Sequence, residues 1–209
     1  MAINWWALGS YALALSSLTF AVYTSRKRQK EILHRQQRFE WAHVEAGIRQ
    51  LCRWITREFS PDFLLAIPGA GVILTELAVI ELGDTHPIFV AQQLPESSKE
   101  TFPPGGVEFA TAKWRYWFPT EILLQKHKNV LIIDDYAQSG DTLVQVRQTL
   151  EGLGFDPDHI KTAALISVRG LQESGKKPDF TWFWVEGHDV HMPWGHASKK
   201  VRTGIVEAT

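Results

Sequence analysis

Two adjacent carboxylates, Asp134 and Asp135, stand directly after the apolar residues 130–133. This β-branched run predicts a buried strand, and open α/β sheets bind their ligands at the carboxyl ends of such strands. A short polar loop that contains Ser139 and Gly140 follows and leads into a predicted helix. Backbone N–H groups at the start of a helix attract an anion, and glycine lets the backbone approach it closely. The segment therefore predicts a site for a ligand that carries both hydroxyl groups and an anion.

A ribose 5-phosphate combines these two features in one molecule. Its vicinal hydroxyls would donate to Asp134 and Asp135, and its phosphate would lie on residues 138–142. The carboxylates could also hold a magnesium ion through water, because Mg²⁺ usually keeps several of its waters. The alternative is a solvated strand end in an α/β protein with no such ligand.

Residues 130–143 resemble the phosphoribosyl pyrophosphate motif of the type I phosphoribosyltransferases. The resemblance rests on four apolar residues, two acids, a short loop with Ser-Gly, and a threonine before an apolar residue. It extends more loosely over residues 61–195. Residues 61–71 are similar to the family's first strand and pyrophosphate loop, and residues 95–113 lie where the family has a mobile lid.

The resemblance implies an enzyme that transfers ribose 5-phosphate from phosphoribosyl pyrophosphate to a nitrogenous, purine-like base, with Mg²⁺ arriving on the pyrophosphate. It assigns catalytic positions to Asp134, Asp135 and Gln138. It assigns substrate-binding positions to Ala70, Gly71, Ser139, Gly140, Asp141, Thr142, Lys113, Arg169 and Trp194. Arg169 and Trp194 would frame the base, since residues 177–180 and 191–195 are similar to the hood of the xanthine-guanine and hypoxanthine branch.

Three positions depart from the family pattern. Gln138 stands where many purine-specific members carry an aspartate, and an amide cannot exchange a proton at neutral pH. The turn at residues 69–71 has no Arg or Lys, and Arg169 replaces a lysine. A guanidinium presents a planar fork rather than a point charge. These departures leave a second interpretation open, in which a non-catalytic module binds the same ligand as a membrane-tethered sensor or scaffold.

The remaining pattern alternates predicted strands and helices, which indicates an α/β fold with a parallel sheet and helices on both faces. Predicted strands cover residues 63–67, 88–91, 130–133, 163–168 and 180–185. A polar loop is predicted for residues 95–112. The resemblance implies a Rossmann-like phosphoribosyltransferase domain with a small C-terminal hood.

The first residues predict a membrane anchor. Residues 3–23 are uncharged and, apart from Asn4, Thr19 and a few serines, apolar. The stretch is long enough for one transmembrane helix, with Trp5 and Trp6 at one end. Residues 26–30 carry four positive charges, which places the bulk of the chain on the cytoplasmic side. A signal peptide would instead carry its basic residues before the apolar run. A buried or interfacial helix is the other alternative.

A helical linker is predicted over residues 26–59, and Trp41, Val44, Ile48, Leu51 and Ile55 form its apolar stripe. The chain thus divides into an anchor at 1–25, the linker at 26–59 and the phosphoribosyltransferase-like domain at 60–209.

Composition limits the partners. The net charge of −1, and the lack of a basic stripe within the domain, give no indication of nucleic-acid binding. The single cysteine, Cys52, excludes an internal disulfide and is typical of a reducing compartment. Residues 186–196 contain three histidines and two acids. These residues could form a metal site, but a polar loop is the favoured interpretation. Family members often pair, so the resemblance leaves a homodimer open.

Overall fold

The structure is a computed structural model that describes residues 37–83, 85–111, 113–187 and 190–196, with only the backbone at residue 196. The anchor predicted at residues 3–23 and the first part of the linker lie outside the described residues. Within the described ranges, no helix combines the length and apolar character needed to cross a membrane.

The elements of the described chain follow in a fixed order. They are β1 (Gln37–Arg38), α1 (Trp41–Glu58), β2 (Phe63–Ala66), α2 (Ala70–Leu82), β3 (Ile88–Val90), β4 (Gln92–Pro95), β5 (Gly106–Ala110), β6 (Trp114–Pro119), β7 (Val130–Ala137), α3 (Asp141–Gly152), β8 (Ile160–Val168), β9 (Phe180–Val185), β10 (Val190–Met192) and β11 (Gly195–His196). Short 3-10 turns at Thr120–Gln125, Pro157–His159 and Arg169–Glu173 connect some of them.

A five-stranded sheet in the order β3-β2-β7-β8-β9 forms the centre of the domain. All its strand pairs are parallel, which confirms the predicted parallel α/β sheet. Strands β2 and β8 are almost entirely buried, as continuous apolar strands of parallel sheets are. The chain leaves β2 toward β3 on one side and reaches β7 on the other. This reversal of direction places a crevice between the carboxyl ends of β2 and β7.

Helices cover both faces of this sheet. Helices α1 and α2 share one hydrophobic cluster with the sheet, whereas α3 belongs to the cluster on the other face. Four of the five residues of the predicted α1 stripe are buried, and the exception is Trp41, which is 47% exposed. The helix begins only at Trp41, because residues 37–38 pair in a strand instead of continuing the predicted linker helix.

Two small sheets stand beside the central one. The antiparallel sheet β4-β6-β5 includes residues that we predicted as a polar loop at 95–112, because β5 pairs along β6 and half-buries Val107 and Phe109. The other small sheet, in the order β1-β10-β11, forms the hood. The predicted C-terminal hood therefore also contains a strand from the N-terminal side of the domain.

Candidate functional site

The turn after β2 lies directly against the end of β7. The backbone N–H of Ile67 donates to the carbonyl oxygen of Ile133 at 3.1 Å. A Cβ added to Gly71 would lie 3.1 Å from that same oxygen and 3.6 Å from Cα of Asp134. Gly69 has a φ of +97°, a conformation that side chains disfavour. The close packing thus favours glycine at residue 71, the backbone conformation favours it at residue 69, and the turn lies beside the backbone of Asp134.

Asp134 and Asp135 form an acidic pair in the carboxyl-terminal half of β7, where Asp134 is buried and Asp135 is half-buried. One oxygen of Asp134 accepts the backbone N–H of Asp135 at 2.9 Å. Burial raises the pKa of Asp134 well above its ordinary value, and the charge of Asp135 raises it further. Burial also raises the pKa of Asp135, while the hydrogen bond from Trp194 acts in the opposite direction. Two neighbouring carboxylates with limited contact with water are costly to ionise together. Hydrogen bonds from the hydroxyl groups of a ligand would reduce this cost.

The loop between β7 and α3 is shaped by Gly140. Its φ is +71°, and a Cβ there would lie 2.5 Å from the carbonyl oxygen of Lys176. Gln138 and Ser139 are exposed, and the Ser139 hydroxyl accepts the backbone N–H of Asp141 at 3.4 Å. This loop opens onto the amino end of α3, where the helix dipole and free N–H groups favour a phosphate.

Asp141 would oppose an anion at this position, and the structure shows how its charge is offset. Nζ of Lys176 lies 2.7 Å from the carboxylate. Hydrogen bonds from Lys176 and Ser139 lower the pKa of Asp141, and the charges of Lys176 and Lys113 contribute as well. Lys113 stands immediately before β6 in the sheet β4-β6-β5, which we call the lid sheet because it includes residues of the lid expected at 95–113. This sheet brings a cation toward residues 138–142, the loop expected to bind phosphate, which we call the phosphate loop.

Of the two residues expected to frame a base, Trp194 contacts the acidic pair and, in the described part of the chain, Arg169 does not. Trp194 lies in the turn between β10 and β11, and its indole N–H donates to a carboxylate oxygen of Asp135 at 3.0 Å. Arg169 follows β8 and forms an ion pair of 2.6 Å with Glu186 after β9. The structure therefore brings Gly71, Asp134, Asp135 and Trp194 together. It shows no contact between Arg169 and the acidic pair within the described residues.

Sequence reasoning missed the role of Tyr116 in β6. The side chain is buried, and its hydroxyl accepts a hydrogen bond from Nε2 of Gln93 at 3.3 Å. Burial raises the pKa of Tyr116 and the charge of Asp134 adds to this, whereas a hydrogen bond with the Thr142 side chain opposes it. Tyr116 thus links the lid sheet to the phosphate loop. The concentration of aromatic residues at 114–118 was the available signal for a strand, because aromatic residues are enriched in strands.

Metal ligands are sparse in the described chain. In residues 37–83, 85–111, 113–187 and 190–196, no group of three or more His, Cys, Asp or Glu side chains is placed to hold a metal ion. The histidine-rich segment considered above includes residues 188 and 189, which fall outside these ranges.

A family model described as "Phosphoribosyl transferase domain" matches residues 34–199, most of the chain. The chain belongs to this family. A search of curated protein sequences finds no match. The family match begins before β1, so the N-terminal strand of the hood lies within the matched region.

Solved phosphoribosyltransferase structures are similar in fold. A purine phosphoribosyltransferase from Pyrococcus horikoshii Ot3 is 21% identical, with a TM-score of 0.56 over 84% of this chain and 99% of that one. A Neisseria gonorrhoeae protein with bound ppGpp is 19% identical, with a TM-score of 0.57 over 76% and 89%. The xanthine-guanine-hypoxanthine phosphoribosyltransferase of Helicobacter pylori is 15% identical, with a TM-score of 0.51 over 77% and 93%.

Proposed function

We propose that the protein is a phosphoribosyltransferase, in which a ring nitrogen of a base attacks C1 of phosphoribosyl pyrophosphate and pyrophosphate leaves. The observation that carries the proposal is the adjacent carboxylates of Asp134, which is buried, and Asp135, which is half-buried, between two glycine-containing turns at residues 69–71 and 138–142. Phosphoribosyl pyrophosphate has a pyrophosphate on one side of its ribose and a phosphate on the other. Its hydroxyls and its two anionic groups match the order of these three features.

Each part of the site has a role in this reaction. Asp134 and Asp135 accept the ribose hydroxyls, and the N–H groups of Ala70 and Gly71 bind the pyrophosphate. Ser139, Gly140, Asp141 and Thr142 surround the 5-phosphate, with Lys113 delivered by the lid sheet. Catalysis then depends on positioning and on stabilisation of charge at C1 and on the departing pyrophosphate. Gln138 contributes a hydrogen-bonding amide rather than a proton.

Magnesium fits this donor set, because carboxylate oxygens are hard ligands of the kind that Mg²⁺ prefers. Asp134 and Asp135 would hold the ion through its waters. The metal would neutralise charge on the pyrophosphate as it departs.

The proposed base is purine-like. Trp194 presents an aromatic ring at the edge of the acidic pair, and Arg169 offers donors to a carbonyl oxygen. The purine and xanthine-guanine-hypoxanthine phosphoribosyltransferases among the neighbours support a purine, and the hood supports the small xanthine-guanine and hypoxanthine branch.

A second candidate is a membrane-tethered sensor that binds a nucleotide or phosphoribosyl pyrophosphate without turnover. Two observations favour it. Gln138 cannot act as a general acid or base, and the turn at residues 69–71 has no cationic side chain to draw off pyrophosphate. The bound ppGpp in the Neisseria gonorrhoeae neighbour is consistent with such a role for this fold.

We further propose that residues 3–23 anchor the protein in the membrane, with the domain facing the cytoplasm. The uncharged apolar run and the basic residues after it support this arrangement. A homodimer is the assembly that we propose for the domain, by analogy with the family.

Calorimetric titration of the full-length protein in mild detergent with phosphoribosyl pyrophosphate and Mg²⁺ tests the proposal. We expect saturable binding that weakens about 100-fold when Asp134 and Asp135 are both changed to Asn, because two charge-assisted hydrogen bonds are lost. The matched control is Asp158→Asn, an exposed aspartate in the turn before β8. Unchanged binding in the double variant would place the ligand elsewhere. Pyrophosphate release with a panel of purines then separates the enzyme from the sensor, which binds without release.

A further inference from the structure

The indole N–H of Trp194 is hydrogen-bonded to a carboxylate oxygen of Asp135 that would also accept a ribose hydroxyl of the proposed substrate. The indole nitrogen lies 3.0 Å from this oxygen, to which it donates the hydrogen bond. A ribose hydroxyl that donates to Asp135 would compete with this indole. The hydrogen bond therefore opposes ribose binding, while it holds the ring in a defined orientation at the edge of the site.

The N-terminal strand β1 is part of the structure that holds Trp194. Gln37 and Arg38 pair in parallel with β10, and the backbone N–H of Phe39 donates to the carbonyl oxygen of His191 at 2.8 Å. The Phe39 side chain is buried, and its ring lies 5.5 Å from that of Phe183. This strand thus anchors β10, and β10 leads directly into the turn that carries Trp194.

Helix α1 supports the same turn from a second side. Trp41 is its first residue, and its ring lies 5.6 Å from the ring of Trp194 at an interplanar angle of 61°. Edge-to-face pairs of this kind stabilise a defined ring orientation. Trp41 is 47% exposed, although the sequence pattern placed it in the apolar stripe of α1. Its exposure is explained by its position, because it faces the hood rather than the central sheet.

We infer that Trp41 is a positioning residue that holds Trp194 against Asp135. The segment of residues 37–41 thereby helps to set the affinity for phosphoribosyl pyrophosphate relative to the affinity for the base. The inference rests on the proposed function, which identifies these two ligands as the substrates. It assigns a functional role to a helix whose main contacts in the described chain are with the central sheet and α2. It also connects the active site to the part of the chain that follows the proposed anchor.

The inference predicts effects of opposite sign on the two ligands. Without Trp41, the Trp194 ring gains freedom and competes less well with the ribose for Asp135. The same freedom must be lost again when a base stacks on the ring, which weakens base binding. General loosening of the site would instead weaken both ligands. The opposite signs therefore separate a positioning role from a purely structural one.

The experiment compares Trp41→Ala, Trp41→Phe and Trp54→Ala in the full-length protein. For Trp41→Ala, we expect the Kd for phosphoribosyl pyrophosphate to fall and the KM for the base to rise, each by about two- to tenfold. Trp41→Phe keeps an aromatic edge and should restore both values to within about twofold. Trp54→Ala is the matched control, because Trp54 is an exposed tryptophan of the same helix with a ring contact of 5.4 Å to Phe180, away from the acidic pair. Equal effects of the two alanine variants, or shifts of the same sign for both ligands, would overturn the inference.

A second measurement does not depend on turnover. The indole N–H resonance of Trp194, identified by its disappearance in Trp194→Phe, should shift and exchange faster with solvent in Trp41→Ala. It should remain unchanged in Trp54→Ala. An unperturbed resonance in Trp41→Ala would overturn the inference. If the resonance responds but the wild-type protein binds no phosphoribosyl pyrophosphate, the proposed function fails while the coupling between Trp41 and Trp194 stands.

Discussion

The position of the Asp134 side chain favours binding of a ligand and costs stability in the folded protein. Its carboxylate is buried beside that of Asp135, and the raised pKa of both groups reports the cost of holding charge there. Ribose hydroxyls would supply the hydrogen bonds that water supplies to an exposed carboxylate. Binding sites commonly keep such unfavourable groups at the expense of stability.

This cost predicts that Asp134→Asn stabilises the protein at neutral pH. The pKa of Asp134 is raised above its ordinary value of 3.8, so its contribution to stability is complete below about pH 4 and is lost as pH rises through the raised pKa. Asparagine does not ionise, and its carbonyl oxygen can still accept the Asp135 N–H. We expect the variant to gain about 1–2 kcal/mol in free energy of unfolding at pH 8 and nothing at pH 4. Urea unfolding across this range measures the difference, and a variant less stable than wild type at pH 8 would contradict the prediction.

At the scale of elements, the start of α3 depends on a close approach between two loops. Gly140 adopts a left-handed conformation while the chain at Lys176 passes over it, and the ion pair between Lys176 and Asp141 joins the same two segments. Because both ion-pair partners are largely exposed, the backbone contact rather than the charge pair determines how well the loop is held. The phosphate loop is therefore positioned by a segment more than thirty residues later in the chain.

Gly140→Ala tests this arrangement. The new Cβ would lie 2.5 Å from the carbonyl oxygen of Lys176 in a backbone conformation that alanine disfavours. We expect a loss of about 1–3 kcal/mol in unfolding free energy and at least tenfold weaker binding of phosphoribosyl pyrophosphate, measured by urea unfolding and calorimetry. Gly152→Ala is the control, since a Cβ there meets nothing within 4 Å at the end of the same helix. Equal losses in the two variants would show that the contact does not matter.

At the scale of the whole molecule, the hood connects the proposed anchor to the site. Strand β1 begins at Gln37, shortly after the basic residues 26–30, and pairs with β10 beside the turn that carries Trp194. A tether at the membrane would therefore enter the domain next to the base side of the site.

The anchor makes a prediction about fractionation. The full-length chain should sediment with membranes, resist extraction with alkaline carbonate and be released by detergent, because about 20 apolar residues suffice to cross the hydrocarbon core. A chain that lacks residues 1–25 should remain in the soluble fraction. Protease added to sealed spheroplasts should leave the domain intact. Recovery of the full-length domain from the medium would contradict this prediction.

The sequence by itself determined the parallel α/β sheet, and it predicted the polar loop between β7 and α3 that we propose as the phosphate site. Apolar strands, the carboxylates at the end of β7 and the glycine before α3 are local signals, since each depends on neighbours within a few residues. The order of strands and the crevice beside β2 follow from rules on how such units connect. The segment predicted as a loop at 95–112 contains β5, which was missed because its sequence shows no clear strand pattern. Strand β5 forms because it pairs with β6.

Only the tertiary structure decided which distant side chains complete the site. The hydrogen bond from Trp194 to Asp135 spans 59 positions, and Tyr116 reaches the phosphate loop from a separate sheet. Strand β1 joined the hood because pairing with β10 satisfies its backbone, which outweighs the helical preference of a two-residue stretch. Such contacts depend on the packing of whole elements, and packing between residues far apart leaves no periodic pattern in the chain.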